Sequence, residues 1–376
     1  MAEFLPFARP TIDEAMIADV ADTLRSLWIA TGPQVTTFEN NLSDYCGGRP
    51  VIALTSATAA IEVALQLIGA GPGDEIITPA QNFFAAANMI EKVGARAVFV
   101  DVELKTRNMN FAAAEAAINS RTKALLPTDF NAPLNTAALG KIADRHGLRV
   151  IQDAALAIGS RFDGKPVGTQ GDLVSFSFHP NKNMTTIEGG ALVVNDNAEL
   201  KRAFQLRFHG ITRLADGTRN VDVAGGKFNM SDVSARLGIG QLKQLDAWCA
   251  KRAELAEHYF DCLKGDELLN DDMLLHRDNP GHSWNMFTVL LPLSEMKISR
   301  AQFIAAMHAN GIGIGVSYEA VHLTTLFRNK GHYEGMFPVS ERIARETVSL
   351  PMFPALTRSD VERACEAVRR FIRSAK

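Results

Sequence analysis

The stretch GDLVSFSFHPNKNMTTIEGGALVVND, residues 171–196, decides how the rest of the chain is read. An apolar run, LVSFSF (173–178), enters a polar loop that holds one lysine, Lys182, and the chain leaves through Gly189 and Gly190 into a second apolar run, ALVV (191–194). Runs this short, β-prone and uncharged predict buried strands. By itself, a lysine between two strands is compatible with a solvated loop tip. Its company points elsewhere. Ser177 precedes it, His179, Asn181, Asn183, Thr185 and Thr186 crowd the loop with hydrogen-bonding groups, and the glycine pair permits close backbone approach. A lysine held at a ligand and stripped of water has a lowered pKa and can form a Schiff base with a carbonyl.

Working outward, the same kind of short run recurs at EIIT (75–78), RAVFVDV (96–102), ALLP (124–127) and RVIQDA (149–154). Helical patterns lie between them, such as NFAAAEAAI and LGKIADRHG. Residues 58–70 place Ile61, Ala64, Leu65 and Ile68 on one helical face before the GAGPGD turn. Strands alternating with helices predict an α/β fold with a mostly parallel sheet covered on both faces. Residues 232–262 read as one long helix or a bent pair bridging two lobes. Beyond it, a strand (MFTVLLP), a helix (SRAQFIAAMHAN), a short GIGIGV run and a closing helix after Thr357 form a small α+β lobe. The expected division is a large lobe over 1–250 and a small one over 251–376.

Three further pieces bear chemistry. Asp153 in IQDAALAIGS ends an apolar strand, where open α/β sheets bind ligands. A carboxylate there suits a protonated pyridine nitrogen; a turn or helix-cap aspartate is the alternative. In LTSATAAIEVAL, Ser56, Ala57 and Thr58 sit where a strand meets a helix N-terminus, a natural phosphate site and equally a plain N-cap. In PAQNFFAAANMI, Phe83 or Phe84 can stack on an aromatic ring or join the core.

Composition narrows the classes. The 376 residues are 47% hydrophobic, enough for a sizeable core without disulfides or structural metal. With 39 basic and 42 acidic residues, the charge balance argues against bulk nucleic-acid or anionic-membrane binding. No apolar run approaches a membrane span, and MAEFLPFARP lacks the design of a secretory leader. Cys46, Cys249, Cys262 and Cys365 are scattered without CxxC or CxxH spacing, so reduced thiols and no metal site are expected in a cytoplasmic protein. No G-x-G-x-x-G follows the early strands, which disfavours a flavin or nicotinamide enzyme.

Taken in order, these pieces resemble the DegT/DnrJ/EryC1/StrS sugar aminotransferases, pyridoxal 5'-phosphate (PLP) enzymes of fold type I. The resemblance runs from SLWIATGPQVTTFENNLSDYCG through ALTSATAAIEVAL, GPGDEIITP, RTKALLP, DAALAIGSRFDGKPVGTQGD and the Lys182 loop. It continues through GKFNMSDVSARLGIGQLKQLD to VSYEAVHLTTLF and SLPMFPALT. FLPFARP, SFHPNKNMTTIEGG and FHGI are most similar to the UDP-4-amino-4-deoxy-L-arabinose–oxoglutarate aminotransferase branch. The resemblance implies a large domain with a mostly parallel seven-stranded sheet. It implies Lys182 as the lysine that carries the cofactor and the catalytic proton, Asp153 as partner of the ring nitrogen and Phe83 as the stacking ring. Ala57, Thr58 and Ser177 would hold the phosphate, with Lys227 or Asn229 reaching the phosphate of the neighbouring subunit in a homodimer with shared sites. Tyr318, Glu319 and His322 fall in the sugar-side wall.

The implied reaction moves an amino group from glutamate to a keto group, carbon 4, of a nucleotide-linked sugar destined for cell-surface polysaccharide or lipopolysaccharide. A keto-sugar dehydratase of the same family carries histidine in place of Lys182, and a PLP-binding regulator without turnover is the non-enzymatic alternative. The chain departs from the family pattern at Leu156, where glutamine or histidine is usual, at Asn82 before Phe83, and at Ser317-Tyr318-Glu319, where the arabinose branch has His-Phe-Arg. An arginine is a clamp for phosphate or carboxylate and a glutamate repels both. Glu319 therefore points away, pairs with Arg213 or Arg219, or faces sugar hydroxyls, and the last option favours a UDP- or dTDP-linked 4-keto-hexose over the pentose.

Overall fold

The computed structural model describes residues 3–130, 132–264, 277 and 281–375. In chain order the strands are β1 (Val51–Leu54), β2 (Glu75–Pro79), β3 (Arg96–Val100), β4 (Thr122–Leu125), β5 (Arg149–Asp153), a small hairpin of β6 (Arg161–Phe162) and β7 (Lys165–Pro166), then β8 (Leu173–Ser177) and β9 (Gly190–Val193). Seven of them form one sheet in the order β1-β9-β8-β5-β4-β2-β3. Only β9 runs against its neighbours, β1 and β8; the other pairings are parallel.

Both faces of this sheet are covered, and the strand period of two assigns each residue to a face. Ile52, Ile76, Ala124, Ile151 and Leu192 pack with the helices Ala57–Leu67, Ala85–Lys92 and Asn197–Arg207. On the other face, Val51, Ala53, Val174, Phe176 and Val193 pack against Pro33–Tyr45 and the first part of Asp232–Leu263. Ile77, Leu125 and Val150 lie against Phe111–Ala116 and Thr136–His146. That is why the strands read as nearly continuous apolar runs.

The segment expected to be a long helix or a bent pair is one helix, Asp232–Leu263. Its Ser231 cap accepts from the Ser234 N–H at 3.1 Å. The buried Asp232 carboxylate accepts from the N–H groups of Gly32, Gln34 and Val35, which secures the N-terminus of the helix Pro33–Tyr45. Ala235, Ile239 and Leu245 serve the sheet core, whereas Leu255, Tyr259 and Leu263 serve the core of the small lobe. The expected division between 250 and 251 thus has no break in the chain, and the helix belongs to both lobes.

After β10 (Ile211–Arg213) and β11 (Arg219–Val221), an exposed hairpin, the small lobe is built on the antiparallel pair β12 (Phe287–Leu290) and β13 (Thr347–Leu350) with the helices Arg300–Ala309 and Arg358–Ser374. Thr357 opens the last helix with a capping box to Asp360. Leu5, near the other end of the chain, is buried in this same core. The GIGIGV run makes only isolated bridges, Ile312 with Leu5 and Gly315 with Ser349, because its glycines offer no side chains to hold a longer ladder.

Candidate active site

The carboxyl ends of the parallel strands lead into one cavity of about 390 Å³, a volume suited to a small organic ligand. From β1 come Ser56, Ala57 and Thr58; from β2, Asn82 and Phe83; from β5, Asp153; and from β8, Ser177 and the loop with His179, Asn181 and Lys182. Tyr318 closes the cavity from the small lobe.

Lys182 is half-buried, and burial pushes its amine down from 10.5 to about 8, with the nearby Asp153 carboxylate pulling the other way. The same burial pushes the Asp153 carboxyl above its ordinary value, opposed by the Ala155 N–H (3.1 Å), the Lys182 charge and the Asn82 amide. An amine and a carboxylate, each disfavoured in its charged form by burial and each supported by the other, face one small space.

The helix Ala57–Leu67 begins at this space. Ser56 Oγ accepts from the Ala59 N–H at 3.0 Å, and Ala57 and Thr58 occupy the first positions, whose N–H groups have no partner within a helix. Helix polarity then favours an anion there. Gly190 lets β9 pack closely against this helix start: a Cβ at this position would lie 2.3 Å from the Ser56 carbonyl carbon and 2.4 Å from the Ala57 nitrogen. Ser177 Oγ lines the same end. Phe83, half exposed, stands 5.6 Å from the Tyr318 ring, and Tyr318 stands 5.5 Å from Phe130, which gives the cavity an aromatic wall.

Two departures from the family pattern find a physical place. Leu156 lines the cavity and packs with Phe130, Met286 and Tyr318, so a polar side chain is exchanged for apolar wall. Asn82 donates to Thr128 Oγ1 at 2.7 Å, accepts from the Phe83 N–H at 2.7 Å and bonds to Asp153. It thereby ties the aromatic wall to the carboxylate. Thr128, which reaches the cavity from the end of β4, gave no signal in its PTDFN context.

The remaining expected residues lie outside this lining. Lys227 is exposed, with Nζ 2.9 Å from Asn229 Oδ1 and 5.1 Å from the Phe208 ring centroid. Asn229 bridges by its backbone to Leu54, one residue pair away from the helix start. Glu319 is exposed and is attracted to Arg300, while Arg213 and Arg219 sit in the β10–β11 hairpin. His322 corrects its expectation as a sugar-wall residue. It is fully buried, its Nε2 lies 3.0 Å from the Glu341 carboxylate and its ring packs on Phe337, so it is part of the structure behind the wall. Among the described residues no group of His, Cys, Asp and Glu could hold a metal ion, and no helix is long and apolar enough to cross a membrane.

Comparison with known proteins agrees with this geometry. The model of the DegT/DnrJ/EryC1/StrS aminotransferase family matches residues 10–369. The uncharacterized protein MJ1066 of Methanocaldococcus jannaschii is 37% identical over 383 residues, 98% of each chain. A protein of Streptococcus pneumoniae described as a sugar aminotransferase, Spr1654, superposes in its PMP form with a TM-score of 0.92 at 28% identity, over 99% of this chain and 98% of its own. Its PLP form superposes with a TM-score of 0.91. Helicobacter pylori PseC, an aminotransferase of pseudoaminic acid biosynthesis, superposes with a TM-score of 0.93 at 25% identity, over 99% of this chain and all of its own.

Proposed function

Because the chain belongs to the DegT/DnrJ/EryC1/StrS aminotransferase family, we propose that it moves the amino group of glutamate to the keto group at carbon 4 of a nucleotide-linked sugar. The enzyme is a PLP-dependent sugar aminotransferase. The observation that carries the reading is the pairing of a half-buried lysine with a buried carboxylate in one cavity at the strand ends.

The residues present fit the cofactor. Lys182 offers an amine with a depressed pKa for its carbonyl, Asp153 a carboxylate for its ring nitrogen and Phe83 a face for its ring. Ala57, Thr58 and Ser177 offer N–H and O–H donors for its phosphate at the start of the helix Ala57–Leu67. When bound, PLP supplies a ring that takes up the charge left on a carbon when its proton is removed.

The protein's part is placement and proton handling. Burial holds the Lys182 pKa near 8, so a useful fraction of Nζ is neutral near neutrality and could act as the base for the donor's α-proton. The Asp153 carboxylate keeps a ring nitrogen protonated, and its burial makes that pairing stronger than it would be in water. Tyr318, Phe130 and Leu156 exclude water from one side. The sugar enters over Phe83 and Tyr318, with Glu319 beyond them at the exposed rim.

The proposal extends to a cytoplasmic homodimer serving cell-surface polysaccharide or lipopolysaccharide synthesis. Leu27, Trp28, Ile29 and Ile187 are large apolar residues left half or more exposed, which supports a second copy covering them. Lys227 or Asn229 then faces the neighbour's phosphate. The test is direct. Glutamate should bleach the visible band of the purified, PLP-loaded protein, and one of a panel of keto-sugar nucleotides should restore it. A protein whose band no amino acid bleaches is not an aminotransferase.

A further inference from the structure

Lys182 sits on a loop of the large lobe, yet one of the groups that hold that loop comes from the small lobe. Asn285, buried just before β12, donates through Nδ2 to the Asn181 carbonyl oxygen at 3.0 Å and reaches Asn183 Oδ1 at 3.4 Å. These are the residues on either side of Lys182. Asn183 in turn donates to the Ile158 carbonyl oxygen at 2.9 Å. One amide therefore fixes the backbone before the lysine and the side chain after it.

Asn285 is itself held from behind. The buried Arg252 guanidinium donates to the carbonyl oxygens of Trp284 (3.3 Å), Asn285 (3.4 Å) and Met352 (2.9 Å). The adjoining Ser283 is tied to the large lobe by its N–H and Oγ, both bonded to Ser160 Oγ, at 3.1 and 2.8 Å. A buried arginine spending its donors on carbonyls holds a backbone segment in one place, because leaving that charge without partners would be costly.

Resting on the reading of Lys182 as the cofactor lysine, we propose that Asn285, backed by Arg252, is a positioning residue that sets the height and direction of Lys182 in the cavity. A single amide links this segment of the small lobe to the reactive loop, so displacing the segment displaces the amine. Loosening it lets the loop relax towards water, which changes the surroundings of the nitrogen that Lys182 gives to the cofactor and takes the side chain off line for proton transfer.

The test uses PLP-loaded protein. Asn285→Leu keeps the size and removes the donor without adding a charge; Asn285→Ala serves if the leucine variant does not fold. Both should retain cofactor, shift the pH midpoint of the visible band by half a pH unit or more, and lower kcat at least tenfold with little change in the KM for glutamate. Ser160→Ala cuts the neighbouring bond between lobes without touching the lysine loop and should leave the midpoint where it was. An unshifted midpoint in a folded Asn285 variant overturns the proposal, as does an equal shift in Ser160→Ala. Borohydride labelling separates this from the reading beneath it: label fixed on Lys182 in wild type with an unshifted Asn285 variant overturns the positioning role alone. Label fixed on another lysine overturns the reading of Lys182 and the proposal with it.

Discussion

Replacing Lys182 by methionine should make the cofactor-free protein more stable at pH 7. Methionine keeps a long unbranched chain and removes the amine that burial works against. The Lys182 pKa falls from 10.5 to about 8 on folding. At about 1.4 kcal/mol per pH unit, the folded state carries an unfavourable contribution of about 3 kcal/mol once the lysine is protonated in both states. The direction with pH follows. As pH falls below 10.5 the unfolded chain takes up the proton first, and the folded chain does so only near 8, so wild type loses stability across that window and the full loss is present below it. Water reaches part of the half-buried amine, so the expected gain at pH 7 is about 1–3 kcal/mol. Urea unfolding of both proteins at one protein concentration, at pH 7 and near pH 10.5, reads the difference. It should be largest at pH 7 and vanish at the higher pH. A methionine variant less stable than wild type at pH 7, or a difference independent of pH, refutes the claim that the cavity depresses this lysine.

Asp153→Asn keeps the shape of the carboxylate and loses its charge. Cofactor should still bind through Ala57, Thr58 and Ser177, while stopped-flow bleaching with glutamate slows by several orders of magnitude, each ~1.4 kcal/mol of lost transition-state stabilisation being tenfold. A variant that bleaches at the wild-type rate makes Asp153 structural. Mixing Lys182→Ala chains with chains altered at both Lys227 and Asn229 should restore part of the activity if sites are composite; a fully active monomer in the ultracentrifuge contradicts that. Glu319→Arg places a cation beside Arg300 at the rim of the cavity and should shift preference from 4-keto-hexose towards 4-keto-pentose nucleotides in a competition assay. No change in preference means that Glu319 faces solvent in the complex as well.

Much of this was legible because local signals and the global fold agree. The sheet strands carry apolar residues on their buried faces, and polar residues at or just beyond the ends of four of them, Ser56, Asn82, Asp153 and Ser177, line the cavity. The helix starts at Ser56, Ser231 and Thr357 carried their own side-chain caps. His322 was misplaced because a histidine beside Tyr318 in sequence carries no mark of the chain's turn into the interior, where Glu341, nineteen residues on, accepts its bond. Burial of a polar group is settled by its partner, and that partner was remote.

The sequence by itself determined the alternation of strand and helix, marked Lys182 and Asp153 as candidates for the site, and placed a glycine pair where close backbone approach is needed. Those properties live in residues a few positions apart, within reach of propensity, capping and period. Only the tertiary structure decided which side chains share a space: that Thr128 bonds to Asn82 beside Asp153, that Glu319 lies near Arg300, and that Asn285 bonds to both neighbours of Lys182 from 103 residues beyond that lysine in the chain. Contacts of that kind follow from how packed layers bring distant loops together at the strand ends, and no local pattern encodes the distance between them.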